Sequence, residues 1–181
     1  TALDRALLPA VLQGEFRLVL ISGNAGDGKT AFLQRLEKEV EARGGSVNRG
    51  LANGSELSLD GKRYLINYDG SQDEGNKDNN QVLLDFLAPF KGNDAVSWRP
   101  QETRLIAINE GRLVDFLAAH ERDFPALTAL VRRAFATGEA ESGVAVVNLN
   151  LRSVVADDAN NTQDGSILER TLRSIVRPEN W

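Results

Sequence analysis

The chain of 181 residues has no cysteine, no methionine and one histidine. Without cysteine there is no disulfide framework and no thiolate metal site. The same absence fits a reducing compartment, and a cytoplasmic location is expected. The lone histidine, His120, falls late in a helical stretch and reads as a surface or helix-end residue. Aromatics make up 6% of the chain, and Trp98 and Trp181 stand apart, so there is no stacking platform for nucleic acid. Positive charge is also short: 21 Lys and Arg face 26 Asp and Glu, a net charge of −5. That balance argues against broad nonspecific nucleic-acid binding, and pairs such as Arg132-Arg133 read as a solvated helix face. No apolar run approaches the ~20 residues of a membrane span, and no signal peptide opens the chain. With no methionine at its start, the chain is expected to be a segment of a larger protein. What remains is an ordinary globular composition, 41% hydrophobic and 26% charged, sufficient for one domain with a real core.

The feature that stands out is Gly23-Asn24-Ala25-Gly26-Asp27-Gly28-Lys29-Thr30. It matches the phosphate-binding P-loop pattern G-x-x-x-x-G-K-[ST] at every required position. An apolar run, Phe16 to Ile21, leads in as a buried strand, and Phe32, Leu33, Leu36 and Val40 follow at helical spacing. Glycines let the backbone approach a ligand with φ > 0, so successive N–H groups can form an anion nest. The helix starting near Gly28 adds its positive dipole end. Lys29 can reach the β- and γ-phosphates, and the Thr30 hydroxyl is placed for Mg²⁺. The residues expected to hold the nucleotide are therefore Gly23 to Thr30 together with Ala31.

Strands and helices alternate along the rest of the chain. A short helix containing Leu3, Leu7, Leu8, Val11 and Leu12 ends near Gly14, and Gly44-Gly45 stops the helix after the glycine loop. Residues 46–69 read as a β-hairpin turning at Asp60-Gly61, its second arm Tyr64 to Tyr68 entering the main sheet. A polar loop follows, then a helix from Val82 to Phe90 capped by Asn80. Leu105 to Ile108 is a strand, Leu113, Val114, Phe116 and Leu117 a helix, and Pro125 opens another that Gly138 stops. Val144 begins a strand running to about Leu151. A loop from Ala156 and a helix from Ser166, with Glu169 completing a capping box, end the chain. The pattern predicts a single domain over 1–181, an α/β three-layer αβα fold with a mostly parallel sheet and a hairpin insertion after the first long helix.

In such sheets ligands sit beyond the carboxyl ends of the strands. That rule selects Gly23, Asp69, Asn109, Glu110, Asn148, Asn150 and Arg152. Each has a plainer reading as well. Asn109-Glu110 also fits a strand-to-helix junction, Asn as the cap and Glu favouring the helix dipole. Asp69-Gly70-Ser71-Gln72-Asp73 also fits a polar turn, and it fails the calcium-loop spacing. Asn148 and Asn150 alternate onto one face, so spacing does not choose between them. Arg152 reads most simply as solvating a strand end. Asn76-Lys77-Asp78-Asn79 misses the guanine-specific N-K-x-D tetrad at its last position, which favours ATP over GTP.

Taken in order, the glycine loop, Asp69, Asn109-Glu110 and Asn148 resemble the core of the AAA+/STAND-like, additional-strand branch of P-loop ATPases. Ser22 to Thr30 and Ile106-Ala107-Ile108-Asn109-Glu110-Gly111 are also similar to ATPase modules of large bacterial proteins, including phage-defence ATPases. The resemblance covers about residues 3–152. It implies that Leu105-Ile106-Ala107-Ile108-Asn109-Glu110 corresponds to a box of four apolar residues followed by Asp-Glu, with Asn109 in place of the acid. Glu110 then corresponds to the water-polarising base, and Asn148 or Asn150 to the polar sensor of the γ-phosphate. Since a neutral amide binds hydrated Mg²⁺ less well than a carboxylate, Asp69 is expected to supply the missing charge. The catalytic set is thus Lys29, Glu110 and Asn148, and the metal set Thr30, Asp69 and Asn109. The resemblance further implies partner domains of one larger protein or a homo-oligomer, and a helical lid for which residues 166–177 are too short. An Mg²⁺-dependent ATPase is the leading reading. A low-turnover nucleotide switch is the second. A small-molecule kinase is the third, disfavoured by the acidic hairpin and loop that follow the first long helix.

Overall fold

The computed structural model describes residue 5 and residues 7–24, 26–137 and 143–150. Ala25, Gly138, Arg152 and the loop and helix expected over 156–181 lie outside the described residues, as does the start of the leading helix.

Glycine and proline set most of the boundaries. Helix α1, Leu8–Gln13, opens at Pro9 and stops at Gly14, whose φ of 80° is left-handed. Strand β1, Leu18–Ser22, is buried along its whole length, as a strand covered on both faces must be. Helix α2, Lys29–Ala42, starts behind Gly28 at φ 86° and is followed by Gly44 at φ 82°. Strands β2, Ser46–Leu51, β3, Gly54–Leu59, and β4, Lys62–Asn67, form an antiparallel meander. The β3–β4 turn is Asp60-Gly61, with φ of 52° and 76°, the doubly left-handed turn that matches strand twist. Helix α3, Asn79–Leu87, runs on as a tighter turn over Ala88–Phe90. Strand β5, Thr103–Ile108, leads into helix α4, Glu110–Ala119. Helix α5, Pro125–Thr137, and strand β6, Val144–Asn148, complete the described elements.

The six strands lie in the order β2-β3-β4-β5-β1-β6. The pairs β4–β5, β5–β1 and β1–β6 are parallel, and the meander alone is antiparallel. Alternation along β1 divides the core. Val19 and Ile21 join Phe32, Leu33, Leu36 and Val40 of α2 and the α1 leucines. Leu18 and Leu20 join the apolar faces of α3, α4 and α5. Each such side chain, fully buried, contributes about 1.5–3 kcal/mol. This is an α/β architecture with helices on both faces of a mostly parallel sheet, and its parallel strand ends gather at one edge.

Three expectations are corrected. The hairpin gains a third strand, β2, almost wholly exposed at the sheet edge. The cap of α3 is Asp78, which accepts from Gln81 N, while Asn80 lies inside the helix. Strand β6 ends at Asn148 rather than near Leu151, because Asn150 N turns back to donate to Asn148 Oδ1.

Candidate functional site

The strand ends enclose a cleft of about 550 Å³, within the 300–1,000 Å³ typical of small-molecule sites. One wall is the loop between β1 and α2: Gly23, Gly26, Asp27, Gly28, Lys29, Thr30 and Ala31. The other wall brings Tyr68, Asp69, Ser71 and Gln72 from beyond β4, Asn109 from the tip of β5, and Asn53 from the β2–β3 turn.

The loop is braced by its own side chains. Asn24 N donates to Asp27 Oδ2 at 2.5 Å and to Asn150 Oδ1 at 3.0 Å. Gly23 is closely packed: a Cβ there would stand 2.8 Å from Asp27 Oδ2 and 3.0 Å from Leu149 Cβ, so the Asp27 carboxylate would have to shift. Lys29 Nζ folds back onto the carbonyls of Gly23 (2.7 Å) and Asn24 (2.6 Å). An ammonium has three donors, so the geometry leaves one for a ligand before either carbonyl is released. Thr30 is exposed in the first turn of α2.

Asp69 is held on both sides of its carboxylate and through its backbone. Oδ1 accepts from Ser71 N at 2.9 Å, and Oδ2 from Gln72 Nε2 at 3.1 Å. Its N–H donates to Asn67 Oδ1, and its carbonyl accepts from Asn53 Nδ2 at 2.7 Å. Gly70 N donates to Ala107 O at 2.8 Å, and a Cβ on Gly70 would meet Ile106 Cδ1 at 2.8 Å. The turn after β4 is therefore pressed onto the tip of β5, which brings Asp69 to the same cleft as Asn109. The Tyr68 phenol beside it is pushed above its ordinary value, chiefly by burial and then by its hydrogen bond to Glu37.

Asn109 caps α4, its Oδ1 accepting from Arg112 N at 3.4 Å, so the cap reading of this residue is the geometry found. It lines the cleft as well. Glu110 differs from the expectation of a base on the cleft wall. It is half-buried, is not among the lining residues, and its Oε2 accepts from both Asn148 Nδ2 (3.0 Å) and Asn150 Nδ2 (2.9 Å). The two asparagines that spacing did not separate thus converge on one oxygen. Asn150 also reaches the glycine loop through its other end.

The structure brings together Lys29, Thr30, Asp69 and Asn109 around the cleft and sets Glu110, Asn148 and Asn150 as a neighbouring cluster. Asp73 instead caps the acidic loop, accepting from Asn79 N at 2.8 Å. His120 ends α4 against the Phe116 ring, and Trp98 is buried edge-on to Phe90. Asn53, Tyr68, Ser71 and Gln72 were not expected at the site. The strand-end position signals the last three; nothing local signals Asn53.

Oxygen donors of this kind fit a hard cation. A hydroxyl, a carboxylate and an amide carbonyl suit Mg²⁺, which keeps several waters and leans on phosphate oxygens. Among the described residues no cluster of three or more His, Cys, Asp or Glu side chains could hold a metal without such help. No helix among them is long and apolar enough to cross a membrane. No protein-family model matches the chain, and neither a curated protein nor a solved structure matches it.

Proposed function

We propose that the chain binds a nucleoside triphosphate with Mg²⁺ and hydrolyses it, ATP being the preferred substrate. The observation that carries this reading is the cleft itself. A glycine loop with Lys29 and Thr30 faces a carboxylate and an amide suited to a magnesium–phosphate complex, Asp69 and Asn109, which arrive from two further strand tips. Strand β5 stands between the loop strand β1 and strand β4, so the three strand tips that carry these groups are neighbours. The loop N–H groups and Lys29 bind the phosphates. Thr30 and Asp69, with Asn109, would hold Mg²⁺, which supplies charge neutralisation to the phosphates when bound. Glu110, which stands beside the cleft rather than on its wall, would take the proton of the attacking water as the water oxygen bonds to the γ-phosphorus and the bond to the ADP oxygen breaks. Asn148 and Asn150 orient the carboxylate. Loss of the γ-phosphate then shifts loops ordered around it and moves attached domains or neighbouring subunits.

ATP binding by calorimetry tests the first part. Wild type is expected to bind in Mg²⁺, and Lys29→Ala to lose about 100-fold, the worth of its charge-assisted contacts. No binding by wild type at millimolar ATP overturns the proposal. A second reading, a nucleotide switch with little turnover, is favoured by the engagement of Glu110 with two amides. Single-turnover hydrolysis decides between them. Glu110→Gln is expected to slow the step by about 100-fold or more if Glu110 is the base, and to leave a slow wild-type rate unchanged if the chain is a switch.

A further inference from the structure

Glu37 lies about two turns beyond Thr30 on the same helix. It interrupts the apolar stripe of Leu33, Leu36 and Val40, yet it is only 2% exposed. Three donors converge on its carboxylate, one from each successive part of the meander. Arg49 Nε of β2 reaches Oε2 at 2.9 Å. Ser55 Oγ of β3 reaches Oε1 at 2.6 Å. The Tyr68 hydroxyl, just beyond β4, donates to the same Oε1. A leucine would fill this place without desolvating a charge, and apolar replacements of buried ion pairs are often neutral or stabilising. What a carboxylate adds is direction: it fixes where its donors stand.

One of those donors matters to the cleft. Tyr68 immediately precedes Asp69, and its own N–H is tied to Asn53 O at 3.0 Å. Asn53 in turn holds the Asp69 carbonyl. A path of hydrogen bonds therefore runs from α2, which carries Thr30, to the backbone that carries Asp69. We propose that Glu37 is a positioning residue, which through Tyr68 holds Asp69 opposite Thr30 and so sets how tightly magnesium-loaded nucleotide binds. This rests on the nucleotide reading above. Glu37 itself does not line the cleft. A cation shared between α2 and the end of β4 senses their spacing, whereas a phosphate held by the loop alone does not.

The test is ATP affinity of the full 181-residue chain, measured once in Mg²⁺ and once in EDTA, with melting temperature recorded alongside. Tyr68→Phe keeps the ring and removes the hydroxyl; Glu37→Gln keeps the shape and removes the charge. Each is expected to weaken binding about tenfold in Mg²⁺, the worth of one hydrogen bond to a charged group. In EDTA Glu37→Gln should stay within about twofold of wild type, and for both variants the Mg²⁺ concentration for half-saturation should rise in step. Equal losses in both conditions would mean a general loss of structure and would overturn the proposal. So would Tyr68→Phe matching wild type in Mg²⁺. Wild type failing to bind ATP in either condition would instead remove the nucleotide reading itself, and the positioning role with it.

Discussion

Replacing Asp69 by Asn isolates the charge that the cleft offers a cation. The substitution is nearly silent for the fold. Ser71 N keeps an acceptor at Oδ1, and the backbone of residue 69 stays tied through Asn67 and Asn53. Only the exposed contact with Gln72 Nε2 changes, from acceptor to a second amide that must turn away. One exposed hydrogen bond to a carboxylate is worth about 1.5 kcal/mol, so melting should fall by about 3–6 °C at this chain length. The effect on magnesium-loaded nucleotide is larger. Two unit charges 4 Å apart interact by about 4 kcal/mol at an effective dielectric of 20 and about 1 kcal/mol in bulk water. An open cleft lies between these limits, so a loss of roughly 2–3 kcal/mol is expected, about 30- to 140-fold in affinity. Without metal the sign reverses, because a carboxylate facing phosphates repels them; Asp69→Asn should bind free ATP as well as wild type or several-fold better. Calorimetric titration of ATP in Mg²⁺ and in EDTA measures both. Equal affinity of Asp69→Asn and wild type in Mg²⁺, within threefold, would refute the assignment of Asp69 to the cation.

Two other outcomes test the fold beneath the site. A Cβ on Gly54 would stand 2.0 Å from Ile66 O in the paired strand, a backbone atom that cannot swing aside. Gly54→Ala should therefore cost about 3 kcal/mol, read as a drop in thermal midpoint, and an unchanged midpoint would contradict the close pairing of β3 and β4. Burial raises the Tyr64 phenol above its ordinary 10.0, and its hydroxyl donates to Leu12 O. The folded chain then keeps a proton that the unfolded chain releases, so stability is full below pH 10 and falls as pH rises above it. Melting curves from pH 9 to 11 should show this decline, and Tyr64→Phe should flatten it.

The elements that sequence made legible are those with an inward face. Strands β1 and β5 and the described helices carry apolar periodicity, and each stands where that pattern puts it. Strand β2 has none: Ser46-Val47-Asn48-Arg49-Gly50-Leu51 lies at an edge with little to bury. Its pairing comes from β3, not from its own pattern. The site divides in the same way. Lys29 and Thr30 follow from the loop motif, and Asp69 and Asn109 from their places at strand ends. Asn53 reaches the cleft only because the meander folds back, and Glu37 looks like one more polar helix position until three strands supply its donors. Asn109 shows the limit of local reading, since one residue both caps a helix and lines a cleft.

The exposed edge has a consequence for the chain as a material. An unpaired strand edge is a template on which another molecule can add its own strand. Here the register slips between Asn48 and Leu51, and Arg49 sits inside the irregular stretch with its guanidinium drawn toward Glu37 and Glu41. A second strand would find the ladder broken and would have to accommodate a bulky cation. The same irregularity that hides β2 from pattern recognition thus guards this edge of the sheet against adding a strand from another molecule.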